Sequence, residues 1–231
     1  MAISNKTLKQ IAENPLFEKI EDDDLVTMFD CLGFFTKIYE KGEYLIFEKD
    51  HVDNIGIILK GSVDIIKEDI WGRRTIISRL SNDEMLGETF ACSGDNMSTI
   101  TYQAAMRTSV FFMPFSRVMH TCRKTCPFHH RLIENMVSLI AEKNRLLIQK
   151  VEVISGKTLR DKLLTFFSLQ VQEHGSFSFT LPMGRKDLAE YIGANRSALT
   201  RELNAMSDDG LIEFDRNDFV IHPGQSVLGD L

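Results

Sequence analysis

Arg196, Ser197, Thr200 and Arg201 are the residues whose types and spacing point most directly to a chemistry. An arginine can bond both acceptors on the major-groove edge of guanine, and serine or threonine hydroxyls adapt to a base or to a phosphate oxygen. Their spacing places all four on one side of a helix. The amino end of a helix laid in the major groove is the part that reaches base edges. Arg196, Ser197 and Thr200 are therefore expected at bases, with Arg201 either reading a base or gripping the backbone. Arg185, Lys186 and Asn195 lie just upstream and are expected at phosphates.

Presenting such a face requires two helices joined by a tight turn, and residues 184–206 have that spacing. Arg185–Ile192 and Arg196–Met206 read as helices separated by Gly193-Ala194-Asn195. Small Ala189 permits close approach, Gly193 supplies the sharp turn, and Ile192, Leu199 and Leu203 form an internal core. Asn195 can cap the second helix by accepting from a free backbone N–H. Downstream, Ile212-Glu213-Phe214 and Phe219-Val220-Ile221 flank Asp215-Arg216-Asn217-Asp218, the pattern of a β-hairpin wing. Upstream, residues 158–173 read as an amphipathic helix ended by Gly175, and Phe177 and Phe179 alternate with serines as in a strand. The competing reading is a plain helical hairpin with solvated arginines, since four basic residues face three acidic ones over 184–206, a balance of +1. Turn, cap and wing together favour DNA.

The rest of the chain has a different grammar. Seven of the 14 glycines, Gly33, Gly42, Gly56, Gly61, Gly72, Gly87 and Gly94, punctuate short β-rich runs at 44–47, 55–59, 63–66 and 75–77, with a further run at 110–113. This predicts an antiparallel roll over the first 115 or so residues, behind a helical start. No Gly then occurs until Gly156 and no Pro between Pro127 and Pro182, so a helix of about 28 residues is expected from Pro127, a residue suited to a first helical position. Leu132, Met136, Leu139, Lys143 and Leu146 keep a four-and-three spacing, widened by Ile133, Ile140 and Leu147. So long a stripe exceeds what one small roll needs to cover itself, and a second copy is expected to pack on it.

Length and composition bound the alternatives. The 231 residues, 43% hydrophobic and 26% charged, suit two modest globular domains rather than a disordered or fibrous chain. No run approaches the roughly 18 apolar residues of a membrane span, and no signal-peptide core opens the chain, so a cytoplasmic protein with no membrane partner is expected. Cys31, Cys92, Cys122 and Cys126 are too few and too uneven for a disulfide framework. The net charge of −6 gives no global attraction to nucleic acid, so DNA contact must come from a local surface. No Ser/His/Asp set, metal-protease helix or phosphate-binding glycine loop is present to suggest an enzyme.

In combination and in this order, the elements resemble the cyclic-AMP receptor and fumarate-nitrate reduction regulator (CRP/FNR) family. The residues that carry the resemblance are Lys41-Gly42, Leu59-Lys60-Gly61, Trp71-Gly72 and Leu86-Gly87-Glu88, the helix after Cys126-Pro127, and the winged helix-turn-helix. The resemblance implies an α+β chain: a double-stranded β-helix (jelly roll) of the cyclic-nucleotide-binding type at 1–126, a dimerisation helix at 127–155 and a winged helix-turn-helix at 156–231. It further implies a homodimeric transcription regulator on double-stranded DNA, engaging RNA polymerase if it activates, with an effector in the roll that sets the spacing of two recognition helices.

Which effector is left open by omission. Cyclic-nucleotide-binding relatives follow the roll's Gly-Glu with an Arg-Ser pair, the arginine neutralising phosphate and the glutamate binding ribose. Here Gly87 and Glu88 are present, but Met97 precedes Ser98, and no Lys or Arg occurs from Leu80 through Met106. A phosphate there would lack a charge-assisted partner, so cyclic AMP is not expected. Nor do the cysteines match the set that holds an iron–sulfur cluster in relatives of the fumarate-nitrate type. Cys122, Cys126, His129 and His130 are the remaining candidates for a redox, haem or metal switch. Their spacing is not a strong zinc pattern and adjacent histidines on a helix face apart, so a structural role is favoured. A constitutive regulator with a vestigial roll is the further alternative, and the cofactor stays unassigned.

Overall fold

The computed structural model describes residues 5–119 and 127–223. They divide into two compact units, Met1–Leu139 and Ile140–Leu231, with the boundary inside one long helix. In the first unit α1 (Asn5–Ala12), a 3₁₀ turn (Pro15–Phe17) and α2 (Asp22–Leu32) precede eight strands: β1 (Phe35–Tyr39), β2 (Tyr44–Ile46), β3 (Asn54–Lys60), β4 (Val63–Glu68), β5 (Arg74–Leu80), β6 (Met85–Leu86), β7 (Thr101–Ala104) and β8 (Thr108–Pro114). The short α3 (Glu88–Ala91) follows β6, and α4 (Phe115–Met119) follows β8.

The strands form two four-stranded sheets, ordered β1-β8-β3-β6 and β2-β7-β4-β5, with antiparallel pairing throughout. This is the jelly roll. Burial drives it: Ile55, Ile57, Ile58, Val63, Leu86, Val110, Phe111 and Met113 are all nearly or fully buried. Gly56 lies opposite Phe112, and a Cβ there would come within 2.9–3.0 Å of Phe112, Val110 and Leu86, so only glycine lets the side chains close over that strand. On the other face Phe111 meets Phe17 edge-on and Phe34 in a stack, which fastens the amino-terminal segment to the sheet. Three strands lie outside the β-rich runs of the sequence. β1 keeps four of its five residues exposed, β6 has two residues, and β7, Thr-Tyr-Gln-Ala, alternates over only four residues with one large side chain on its buried face, so none stands out as an apolar run.

The long helix α5 (Pro127–Ile154) spans 28 residues, as its expected start and the absence of breakers require. Its stripe is not uniform. Leu132 and Met136 are buried in the first unit, whereas Leu146 is half exposed.

In the second unit α6 (Leu159–His174), β9 (Ser178–Thr180), α7 (Arg185–Ile192), α8 (Arg196–Asp208), β10 (Ile212–Asp215) and β11 (Asp218–Ile221) surround one core. Thr158 opens α6 with a capping box: its hydroxyl accepts from Asp161 N at 3.1 Å, and the Asp161 carboxylate accepts from Thr158 N at 3.0 Å. Gly175 closes the helix in the left-handed region. The wing is a three-stranded sheet ordered β10-β11-β9, because Phe179 lies opposite Phe219. Phe167 packs on both rings, and Leu163, Phe166, Leu188, Ile192, Leu199, Leu203 and Met206 complete the core.

Candidate nucleic-acid interface

Residues around the tight turn settle how α8 is aimed. Gly193 takes φ 72°, and its N–H closes the end of α7 on the Ala189 and Glu190 carbonyls. Ala194 N then donates to Ala189 O at 2.8 Å, a reversal that the small, buried Ala189 permits. Asn195 caps α8: its Oδ1 accepts from Ser197 N at 3.2 Å and from Ser197 Oγ at 3.1 Å. Because Leu199, Leu203 and Met206 bury one side of α8, the opposite side leaves Arg196, Ser197, Thr200 and Arg201 exposed together, with Asn204 one turn on.

The polar groups on that face differ in how far they are engaged. Thr200 Oγ1 donates to Arg196 O at 3.0 Å, and Ser197 is tied to the cap. Arg196 and Arg201 have no carboxylate partner among the described residues, so their guanidinium donors stand in water. From outside the turn, Arg160 on α6 pairs with Glu202 of α8 at 2.6 Å and with Asp209, the residue that caps its carboxy end, at 2.5 Å. These two carboxylates raise the Arg160 pKa above its ordinary value. Nothing local in the sequence marks Arg160, because its partners lie 42 and 49 positions away.

The three residues expected at phosphates separate. Asn195 is exposed but its side-chain oxygen is committed to the cap, and Lys186 is exposed with Glu190 Oε1 3.8 Å away. Arg185 departs from a freely presented cation. Its Nη2 donates to Arg216 O at 2.5 Å, and its guanidinium lies 4.9 Å from the ring centroids of both Phe214 and Phe219. Partial burial lowers its pKa from the ordinary arginine value.

In the roll, the expected effector residues flank one loop. Gly87, at φ 80°, opens α3, and a Cβ there would come within 3.0 Å of Asn54 O and 3.2 Å of Val52. Glu88 is buried, and burial together with its charge pushes the nearby Tyr102 phenol upward. Met97 bridges His51, while Ser98 N donates to Asp50 O at 2.9 Å and Ser98 O accepts from Lys49 N at 2.7 Å. A cation does approach this segment, from a strand the local sequence could not reveal: Lys67 Nζ on β4 donates to Thr99 O at 2.7 Å. It is already neutralised by Glu48 at 2.9 Å.

Cys122 and Cys126 lie outside the described residues. His130 is exposed, 3.3 Å from Glu134, whereas His129 on the preceding helical position is 1% exposed, so the two do face apart. Among the described residues no group of three or more His, Cys, Asp or Glu side chains could hold a metal. The Cys92 thiol is raised by burial and by Glu88, which disfavours the thiolate that metal binding or redox attack requires.

His129 Nδ1 has no hydrogen-bond partner among the described residues, and burial lowers its pKa below 6.5. The unfolded chain then binds a proton that the folded chain refuses as the pH falls through about 6.5, so stability held above that pH is lost below it. A His129→Phe variant is expected to flatten the stability–pH curve below about pH 6.5, measured by urea unfolding at pH 7.5 and 5.5. An unchanged difference between the two pH values would place that titration on another group.

Comparison with known proteins adds two matches in the order of the fold. The cyclic nucleotide-binding domain model matches residues 36–125, and the Crp-like helix-turn-helix domain model matches residues 161–223. The chain belongs to the CRP/FNR family of transcription regulators. It is similar to the transcriptional activator protein FnrL of Cereibacter sphaeroides, with 23% identity over 88% of this chain and 82% of the relative. It is also similar to the global nitrogen regulator of Synechococcus elongatus, with 18% identity over 83% of this chain and 89% of that one. The solved structure of the c-di-GMP responsive global regulator CLP of Xanthomonas campestris shares the fold, with a TM-score of 0.54 and 15% identity over 86% of this chain and 98% of that chain. Like its CRP/FNR relatives, the chain is a DNA-binding transcription regulator and not an enzyme. No helix among the described residues is long and apolar enough to cross a membrane.

Proposed function

We propose that this CRP/FNR-family regulator binds a pseudo-palindromic operator as a homodimer, under control of an effector sensed by the roll that is not cyclic AMP. The observation that carries the DNA reading is the capped amino end of α8, where Arg196 and Arg201, with no carboxylate partner among the described residues, stand beside Ser197 and Thr200. Arg196, Ser197 and Thr200 read bases, Arg201 reads a base or a phosphate, and Lys186 and the turn at Asn195 lie against the backbone.

Support for the dimer comes from α5. Ile133, Val137, Ile140, Asn144, Leu147, Val151 and Ile154 follow one another at four-and-three spacing, one position removed from the row that Leu132 and Met136 bury. Val137, Leu147, Val151 and Ile154 are all exposed in the single chain. A lone polar asparagine, Asn144, in the valine series of such a seam specifies register and oligomer state. Two-fold symmetry then places the recognition helices about one turn of DNA apart. Engagement of RNA polymerase belongs to this reading if the bound dimer activates.

The effector reading rests on charge. Glu88 is buried, Met97 stands where a phosphate-binding arginine would, and Lys67 is already spent on Glu48. A cyclic phosphate there would meet Lys67 only in competition with Glu48 and would be desolvated beside the buried Glu88.

Selection of bound fragments from random-sequence DNA, followed by footprinting, tests the proposal. The expected result is two symmetry-related protected half-sites centred about 34 Å apart. A single asymmetric footprint would remove the dimer, and no enriched sequence would remove base reading.

A further inference from the structure

Arg185 opens the first helix of the helix-turn-helix, where a cation would ordinarily be assigned to a phosphate. The geometry points to a different role. We propose that Arg185 is a wing-positioning residue, which locks the β10–β11 turn to the amino end of α7 and acts on DNA through the wing. The proposal rests on the DNA-binding reading above.

Three contacts converge on this one side chain. Its Nη2 donates to the Arg216 carbonyl at 2.5 Å, and the guanidinium faces the Phe214 and Phe219 rings, each 4.9 Å away. One ring belongs to each wing strand, so a single planar cation spans the hairpin. Arg216 takes φ 51° as the first residue of the two-residue hairpin loop, and the Arg185 bond is made to the carbonyl at that turn. The turn is also tied from the other side, where Leu181 N donates to Asn217 O at 2.8 Å.

Orientation of this turn matters because of its charges. Asp215 and Asp218 flank Arg216, so a turn held one way offers a guanidinium to the DNA backbone and a loose turn brings carboxylates near it. Asp218 is partly withdrawn by Thr180 Oγ1 at 2.5 Å. The brace thus determines the sign of the charge the wing presents without Arg185 touching the nucleic acid.

The test compares wild type, Arg185→Ala and Arg185→Lys on the operator found by selection, with affinity measured across salt concentration. Amide hydrogen exchange is followed in the DNA-free protein. Both variants are expected to lose about tenfold in operator affinity, because a lysine cannot reproduce a stacked planar fork. The slope of log affinity against log salt is expected to become shallower in both variants, as the wing's guanidinium contact is lost, and the amides of residues 215–218 to exchange faster while those of α8 do not. A phosphate-gripping Arg185 differs in two readouts: lysine restores both the affinity and the slope, and wing exchange is unchanged. Faster exchange spread equally over α8 would make Arg185 a general core residue and would also overturn the proposal. If the wild type enriches no sequence, the DNA reading fails, while the exchange pattern alone still decides whether Arg185 holds the wing.

Discussion

Arg196→Ala is expected to weaken operator binding by about 1–3 kcal/mol for each half-site and to relax the base preference at one position in both. With two copies in the proposed dimer, well separated along the DNA, the loss in the full complex reaches about 2–6 kcal/mol, from about thirtyfold upward. The size of the effect follows from what Arg196 does not do in the free protein. Arg160 and Arg185 are engaged inside the second unit, whereas Arg196, the first residue of α8, keeps its donors in water with no carboxylate partner among the described residues. No internal contact has to break before it meets a guanine, and none is lost when it is removed. The folded state should therefore be unaffected, with unfolding midpoints matching wild type. Binding is measured on the operator, on operators altered at single positions and on random DNA. An equal loss on all three would make Arg196 a phosphate contact and remove it from base reading.

The parts of this interface visible in the sequence are those whose causes are local. Gly193 needs a left-handed turn, Asn195 caps the residue two places on, and the spacing of Leu199, Leu203 and Met206 fixes which side of α8 is buried. Each of these is a relation within a few residues. Arg185 shows the complementary case: its surroundings are Phe214, Arg216 and Phe219, about thirty positions away, which only the folded wing brings to it. The same holds for β9, whose alternating phenylalanines signal a strand but not its pairing with β11. In the roll, the absence of a cation between Leu80 and Met106 is a true statement about the segment, yet Lys67 arrives beside Thr99 from another strand. Sheets assemble remote residues, so charge balance at a sheet site is not readable along one stretch of chain.

The long helix shows a third kind of limit, and the second large effect comes from it. Apolar residues on α5 occupy two adjacent rows, and periodicity alone cannot say which one the chain keeps for itself. Leu132 and Met136 are buried in the first unit, whereas Leu147 and Val151 are left 61% and 57% exposed. Glutamates at these two exposed positions should therefore cost the single chain little. In a two-stranded seam they would bring four negative charges together in place of apolar contacts, and sedimentation is expected to show a monomer for the Leu147→Glu, Val151→Glu variant where wild type is a dimer. Far-ultraviolet circular dichroism and the unfolding midpoint of the second unit should change little. Operator binding should then fall by about 10²–10⁴-fold, because each helix-turn-helix would meet its half-site without the effective concentration that its partner supplies. Asn144→Val separates register from affinity: it should strengthen association while admitting assemblies larger than two. A doubly substituted Leu147→Glu, Val151→Glu protein that still sediments as a dimer would move the interface off this seam, and an Asn144→Val protein that remains strictly dimeric would deny Asn144 its part in setting the pairing.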